Sequence, residues 1–136
     1  MAIESTLLIV KPDGVRRGLV GEVLRRAESR GLAIEALRMF TIDRDLAIEH
    51  YQEHVDKPFF DELVGFITGG PVVVAMLTGE SAVSVWRAMM GPTDPLDASP
   101  GTIRGDFCTE ITQNLVHGSD SLESATRELK LFFQES

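Results

Sequence analysis

Cysteine is nearly absent from this sequence, which has one, Cys108, among 136 residues. A single cysteine cannot close a disulfide within the chain, and it cannot supply the thiolate ligands of a zinc cluster. Disulfide-stabilised scaffolds and cysteine-rich metal modules are therefore excluded. A lone thiol is typical of proteins that work in a reducing compartment, so we expect a cytoplasmic location.

Basic residues are also few. The chain has 13 lysines and arginines against 21 aspartates and glutamates, which gives a net charge of -8. Nucleic-acid-binding modules obtain much of their affinity from lysine and arginine on phosphates, so this balance argues against that class. A phosphate-binding pocket remains compatible with the charge, because a few arginines can be concentrated in one place.

Long apolar runs are missing too. No run approaches the roughly 20 residues of a membrane-spanning helix, and the N-terminal segment lacks the basic start of a signal peptide. The sequence has neither a G-x-x-x-x-G-K-[ST] loop nor a G-x-G-x-x-G turn, so any nucleotide is bound without them. The length and the 43% share of hydrophobic residues predict one soluble domain over residues 1–136.

The apolar residues alternate between strand-like and helix-like spacing. Strands are predicted over residues 6–10, 33–42, 71–77 and 115–116, and helices over 19–27, 43–51, 60–67, 80–90 and 121–133. The segment 91–113 is rich in proline and glycine but carries apolar residues, which predicts an ordered functional loop. The order contains βαββαβ, the split arrangement of a ferredoxin-like sandwich. We therefore predict an α+β fold with a four-stranded antiparallel sheet, helices on one face and a long inserted loop.

His117 occupies the most informative position, in the stretch NLVHGSDS between the last strand and the last helix. The Gly-Ser-Asp-Ser turn offers backbone N–H groups at a helix N-terminus, which favour anions, and Asp120 with Glu123 fits a capping pattern. An imidazole there can act as a nucleophile and become phosphorylated. From the residues alone, a structural histidine bonded to a nearby hydroxyl remains an alternative.

Other residues have both a functional and an ordinary interpretation. Glu128 can orient the imidazole as a third group does in nucleophile–base pairs, or it can face solvent. Arg87 and Arg104, together with Thr93, can clamp a phosphate, or the arginines can be solvated charges. Lys11, directly after the first strand, can meet a ligand or be a solvated turn residue.

Aromatic and histidine positions complete the set of candidates. Phe59 and Phe60 are adjacent at a helix start and cannot both face the core, so one ring is expected to be exposed, where it can stack on a base. His50 and His54 are four residues apart and could form a metal pair. No third ligand is evident, so no protein metal site is predicted.

Taken together, five stretches resemble the nucleoside diphosphate kinase family from Thr6 to the last helix. They are KPDGVRRGLVGEV, HYQEHVDKPFF, GPVVVAML, PGTIRGDF and NLVHGSDS, the last being the family's active-site signature. The resemblance implies transfer of the terminal phosphate of a nucleoside triphosphate to a nucleoside diphosphate by a ping-pong mechanism. It also implies Mg²⁺ bound with the nucleotide phosphates, and a homo-oligomer, with a hexamer first and a tetramer second.

The same resemblance assigns roles residue by residue. His117 would carry the phosphate, and Glu128 and Ser119 would hold its ring. The nucleotide would be bound by Lys11, Tyr51, His54, Phe59, Leu63, Arg87, Thr93, Arg104, Ile111 and Asn114. Two alternatives are a nucleotide-binding regulatory module without turnover and an oligomeric interaction protein with a decayed site. The sequence does not tell which nitrogen of His117 is phosphorylated.

Overall fold

Four strands form one antiparallel sheet in the computed structural model, which describes residues 2–133. The strands are β1 (Ile3–Val10), β2 (Ala33–Phe40), β3 (Val72–Glu80) and β4 (Val116–Gly118). They lie in the order β2-β3-β1-β4, and every neighbouring pair is antiparallel. The predicted ferredoxin-like α+β fold is confirmed.

Within residues 2–133, seven α-helices connect and cover the strands. They are α1 (Pro12–Arg16), α2 (Val20–Ser29), α3 (Arg44–His50), α4 (Phe60–Ile67), α5 (Ala82–Met90), α6 (Ile103–Phe107) and α7 (Leu122–Phe133). Short 3-10 turns lie at Gln52–His54 and Pro95–Asp97. Within the described part of the chain, no helix is long and apolar enough to cross a bilayer.

The helices cover both faces of the sheet, which corrects the prediction that they lie on one face. Alternate residues of β1 enter different cores: Leu8 and Val10 pack with the α2–α5 side, whereas Leu7 and Ile9 pack with the α3, α4 and α7 side. Side chains of a strand point alternately to the two faces, so each face needs its own cover. The two helices predicted between the second and third strands, together with the last helix, provide the second cover.

Element ends differ from the predictions at positions that matter for the site. The turn predicted after β1 is the short helix α1, whose Pro12 suits a first helical position. Strand β4 runs through Gly118, so His117 lies inside this strand and opposite Ile9 of β1. A Cβ added at Gly118 would meet the side chains of Trp86 and Met90, so this glycine lets β4 approach α5 closely.

The long segment 91–113 is ordered, as predicted. It contains α6 and a 3-10 turn, and Arg26 of α2 forms an ion pair of 2.8 Å with Asp106 of α6. Asp106 also accepts a hydrogen bond from the backbone of Gly101. These contacts fasten the segment to α2 and thereby fix the position of Arg104 beside the sheet.

Candidate active site

One cavity of about 670 Å³ opens where the ends of β1 and β4 meet α3, α4, α5, α7 and the long segment. Every site residue predicted from the sequence lines it except Ser119, which lies behind Glu128. The predicted residues in the lining are Lys11, Tyr51, His54, Phe59, Leu63, Arg87, Thr93, Arg104, Ile111, Asn114, His117 and Glu128. Residues that are far apart in the sequence therefore converge on one space.

The ring of His117 is held from one side. Its Nε2 lies 2.9 Å from Oε1 of Glu128, and its side chain is 21% exposed. A carboxylate only accepts hydrogen bonds, so Nε2 carries the proton and the free lone pair of the neutral ring lies on Nδ1. The sequence left the choice between the two nitrogens open, and the position of Glu128 favours Nδ1 as the unprotonated one.

Glu128 is itself held by a chain of hydrogen bonds. The hydroxyl of Ser119 donates to Oε1 of Glu128 at 2.8 Å and accepts from the backbone N–H of Leu7 at 3.2 Å. Burial raises the pKa of Glu128, but the interactions with His117, His50 and Ser119 together outweigh burial and lower the pKa overall. The carboxylate is therefore ionised at neutral pH. We call Leu7, Ser119, Glu128 and His117 the histidine relay.

His50 packs directly against His117, a contact that the sequence did not indicate. Its buried ring stands edge-on to His117 at 4.8 Å and edge-on to Phe132 at 5.3 Å. Burial lowers the pKa of His50 to about 3, so the ring is neutral. His50 therefore restricts the plane of the His117 ring without adding charge. The only signal in the sequence was its place in the HYQEH stretch.

The residues that could hold a metal ion here are not the His50–His54 pair considered in the sequence. Among residues 2–133, ligand atoms of His50, His117 and Glu128 lie within 4.8 Å of one another, whereas His54 is not part of the group. Two imidazoles favour transition metals over Mg²⁺, which prefers oxygen ligands. The carboxylate of this group already accepts hydrogen bonds from His117 and Ser119.

Lys11, Arg87 and Arg104 form what we call the cationic wall of the cavity. The ammonium of Lys11 donates to Oδ1 of Asn114 at 2.8 Å, and the amide of Asn114 donates to the carbonyl of Thr93 at 3.0 Å. Burial, with the nearby charge of Arg104, lowers the pKa of Lys11 to about 8. An anion that entered the cavity would favour the protonated ammonium.

Besides its predicted contact with phosphate, Arg104 forms hydrogen bonds to backbone carbonyls around the cavity. Its Nη1 donates to the carbonyl of Gly91 at 2.9 Å, and its Nε and Nη2 donate to the carbonyls of Asn114 and Val116 at 3.2 and 2.7 Å. Burial lowers the pKa of Arg104 to about 10, which leaves it charged at neutral pH. A guanidinium has five donors, so two N–H groups remain for a ligand.

The start of α7 carries a further charge into the cavity. Ser121, and not the predicted Asp120–Glu123 pair, caps this helix by accepting from the N–H of Ser124 at 3.0 Å. The pKa of Asp120 is lowered, chiefly by a hydrogen bond with Ser124 and also by the charge of Arg87. Asp120 is therefore an ionised carboxylate in the cavity lining.

Phe59, Leu63 and Ile111 form the apolar wall. Phe59 is 44% exposed whereas Phe60 is 8% exposed, which confirms that one of the adjacent rings lies outside the core. Thr112, next to Ile111, lies 3.4 Å from Glu62 of α4, so the long segment and α4 face each other here. An exposed ring opposite an aliphatic side chain can receive a flat aromatic ligand between them.

Comparison with known proteins places this arrangement in a family. The family model described as nucleoside diphosphate kinase matches residues 4–136. A nucleoside diphosphate kinase of Rubrobacter xylanophilus is 58% identical over 96% of this chain and 98% of its own length. One from Listeria monocytogenes is 54% identical over 96% of this chain and 89% of its own length.

Solved structures give the same result. A halophilic nucleoside diphosphate kinase from Halobacterium salinarum, solved in complex with CDP, has a TM-score of 0.95 and 48% identity. The match covers 98% of this chain and 90% of that one. A nucleoside diphosphate kinase from Aquifex aeolicus also has a TM-score of 0.95, with 44% identity over 98% of this chain and 96% of that one.

Proposed function

The chain belongs to the nucleoside diphosphate kinase family and transfers the terminal phosphate of a nucleoside triphosphate to a nucleoside diphosphate, and we propose that Nδ1 of His117 carries this phosphate. The observation that supports the proposal is the 2.9 Å contact between Nε2 of His117 and Glu128. It leaves Nδ1 as the nucleophilic nitrogen of a side chain that lines the cavity. The alternative of a binding module without turnover is not favoured.

The proposed reaction has two half-reactions with the same chemistry. The lone pair of Nδ1 attacks the terminal phosphorus, and the bond from that phosphorus to the bridging oxygen breaks, releasing a nucleoside diphosphate. An oxygen of the acceptor diphosphate then attacks the phosphohistidine, and the N–P bond breaks. The charge that the ring gains on phosphorylation is stabilised by the ionised Glu128, which keeps its hydrogen bond to Nε2 throughout.

Phosphoryl transfer depends mainly on positioning and on charge stabilisation. We assign Arg87, Thr93 and Arg104 to the phosphates, and Lys11 and Asn114 to the sugar hydroxyl and phosphate region. Tyr51 and His54 would support the phosphate site. Burial raises the pKa of Tyr51 to about 12, so its phenol remains a hydrogen-bond donor.

The apolar wall would receive the base. Phe59 would stack on it, with Leu63 and Ile111 at its sides. Stacking is tolerant of base identity because every base has a π-face, so we expect both purine and pyrimidine nucleotides to be used. The CDP bound to the Halobacterium relative is a pyrimidine nucleotide.

The cavity lining suits a Mg²⁺ ion that is bound to the nucleotide phosphates. Mg²⁺ is commonly held by substrate phosphates together with one or two carboxylates, and Asp120 is an ionised carboxylate of the lining outside the histidine relay. Bound there, the ion would neutralise part of the phosphate charge. The cationic wall would hold the remaining phosphate oxygens.

We also propose a homo-oligomer, with a hexamer first and a tetramer second, and a cytoplasmic location. Strand β2 is at the edge of the sheet and exposes Leu37 and Met39, and the long segment exposes Leu96. Apolar side chains on an edge strand favour association with another chain. Sedimentation velocity at several protein concentrations would distinguish a hexamer, a tetramer and a monomer.

Intact-protein mass spectrometry tests the proposed function. The protein is mixed briefly with ATP and Mg²⁺ at neutral pH, and the mass is measured before and after addition of a nucleoside diphosphate. We expect one phosphoryl group that is lost in acid and on addition of the diphosphate. Binding of ATP without added mass, or an acid-stable phosphate, would contradict the phosphohistidine. His117→Asn is the matched variant and should gain no mass.

A further inference from the structure

Leu115 adopts a backbone conformation that non-glycine residues rarely take. Its φ is 77°, and the N–H of Val116 donates to the carbonyl of Asn114 at 2.9 Å. A hydrogen bond that spans two residues around a positive φ defines a γ-turn of the rare, strained kind. The turn spans residues 114–116. Asn114 lines the cavity, and His117 directly follows the turn.

The side chain of Asp13 holds this turn from the α1 side. Its Oδ2 accepts the N–H of Leu115 at 3.1 Å, and its side chain is buried. The N–H of Lys11 donates to the carbonyl of Leu115 at 2.8 Å. Both polar backbone groups of the strained residue are therefore paired with the segment that follows β1.

Arg104 holds the same turn from the other side. It donates to the carbonyls of Asn114 and Val116, the two residues that flank Leu115. The side chain of Leu115 is fully buried in the core, so it cannot move out to relieve the strain. Strained backbone persists where the surrounding structure fixes it from several directions, and it is found preferentially at functional sites.

We propose that Asp13 is a positioning residue of the phosphate-transfer site: its carboxylate keeps Leu115 in the γ-turn, and the turn sets where Asn114 and His117 stand. Asp13 is absent from the cavity lining, and within residues 2–133 its carboxylate accepts a hydrogen bond from Leu115 alone. Without this acceptor, the backbone at Leu115 would relax towards an extended conformation, and β4 would shift relative to the bound nucleotide. The inference rests on the proposed role of His117.

A comparison of two backgrounds tests the mechanism. Leu115→Ala and Leu115→Gly both remove the buried side chain, but only glycine adopts positive φ without strain. Asp13→Ala is introduced into each, and the rate of His117 phosphorylation is measured in a single turnover at saturating ATP and Mg²⁺. We expect a loss of about tenfold or more in the Leu115→Ala background, because small displacements of reacting groups cost up to about a hundredfold.

In the Leu115→Gly background, the same Asp13→Ala change should slow phosphorylation by only about twofold, because the turn no longer needs the acceptor. An equal loss in both backgrounds would overturn the proposal, since a general structural role predicts no dependence on residue 115. Thermal unfolding of all four proteins shows whether the rates are compared between folded chains.

Asp13→Asn in the otherwise unchanged protein provides a second test that does not depend on the core substitutions. It keeps an oxygen that can accept from Leu115, so we expect phosphorylation at saturating ATP within about threefold of the unchanged rate. A hundredfold loss in Asp13→Asn would contradict the hydrogen-bond role. Absence of any phosphoenzyme in the unchanged protein would instead refute the proposed function, and this inference with it.

Discussion

The cationic wall and the apolar wall of the cavity are built in different ways. On the cationic wall, Lys11 and Arg104 are already hydrogen-bonded to protein atoms at 2.7–3.2 Å, and the neighbouring histidine relay is mostly buried. On the apolar wall, Phe59 is 44% exposed and Ile111 58% exposed. One wall is fixed by polar contacts before a ligand arrives, whereas the other offers open apolar surface.

This difference corresponds to the two parts of a nucleotide. Transfer between phosphorus and a nitrogen requires the reacting atoms to be held close to one geometry, which is supplied by prearranged hydrogen bonds. Stacking on a base tolerates small shifts and changes of base. Substitutions near the histidine relay should therefore lower the rate of transfer, whereas substitutions on the apolar wall should mainly lower affinity.

Removing the nucleophile gives the largest expected effect. His117→Asn should reduce phosphate exchange to background and abolish the phosphoenzyme, because the hydroxyl of Ser119 and the carboxylate of Glu128 are buried and hydrogen-bonded within the relay. The dissociation constant for ADP, measured by calorimetry, should change little. If His117→Asn retained exchange activity, a residue other than His117 would have to accept the phosphate.

Removing only the charge behind His117 should have a smaller effect. Glu128→Gln keeps a hydrogen-bond acceptor for Nε2 but not the carboxylate charge, and hydrogen bonds to charged groups contribute about 1.5–3 kcal/mol. We therefore expect kcat to fall by about 10- to 100-fold with little change in nucleotide affinity. Glu123→Gln, an exposed position on the same helix, is the matched control and should be unaffected. Equal rates for both variants would contradict the relay.

The pKa of Lys11 predicts how affinity depends on pH. Burial lowers this pKa to about 8 in the empty cavity, and a bound diphosphate would favour the charged form. Affinity for ADP should therefore fall by about tenfold between pH 7 and pH 9. Calorimetric titration across this range tests the prediction. Lys11→Arg, which stays charged, should give a much flatter profile, and a flat profile in the unchanged protein would contradict the assignment.

The same lowered pKa has the opposite consequence for the stability of the empty protein. The unfolded chain, with an ordinary lysine pKa, binds more protons than the folded chain between about pH 8 and 10.5. The contribution of Lys11 to the free energy of unfolding therefore increases as pH rises through this window. Comparison of urea unfolding in the unchanged protein and in Lys11→Met should show this difference in slope.

The smallest functional effect is expected on the apolar wall. Phe59→Ala should weaken binding of purine and pyrimidine diphosphates by similar factors of about fivefold, at the low end for loss of a stacking ring. Its free energy of unfolding should hardly change. Phe60→Ala, the buried neighbour, should instead lose about 3–5 kcal/mol of stability. A strong preference of Phe59→Ala for one base would show that the apolar wall also contributes to base selection, beyond stacking.

The sequence predicted most of the fold because its patterns are local. The continuous apolar run of β3, the helical spacing of α7 and the turn residues before them are each visible within about ten residues. The side on which the helices pack was predicted wrongly. Which core Leu7 or Leu8 enters depends on helices much further along the chain, and the periodicity of one strand does not identify them.

The candidate site shows the same limit. His117 could be proposed from the signature, and Glu128 from its place on the helix that follows it. The contact of Ser119 with Leu7 joins residues 112 positions apart, and the packing of His50 on His117 crosses between elements that no local pattern relates. The bracing role of Arg104 was missed because a sequence shows a charge but not the carbonyl groups that surround it.

The histidine relay leaves Nδ1 of His117 as the proposed phosphate carrier. Nitrogen-15 NMR of the phosphoenzyme, prepared with labelled histidine and compared with the free protein, measures this most directly. Phosphorus coupled to Nδ1, with Nε2 still protonated and shifted by its contact with Glu128, is the predicted result. Phosphorus bonded to Nε2 would contradict the account, because that nitrogen would have to leave the carboxylate that holds it.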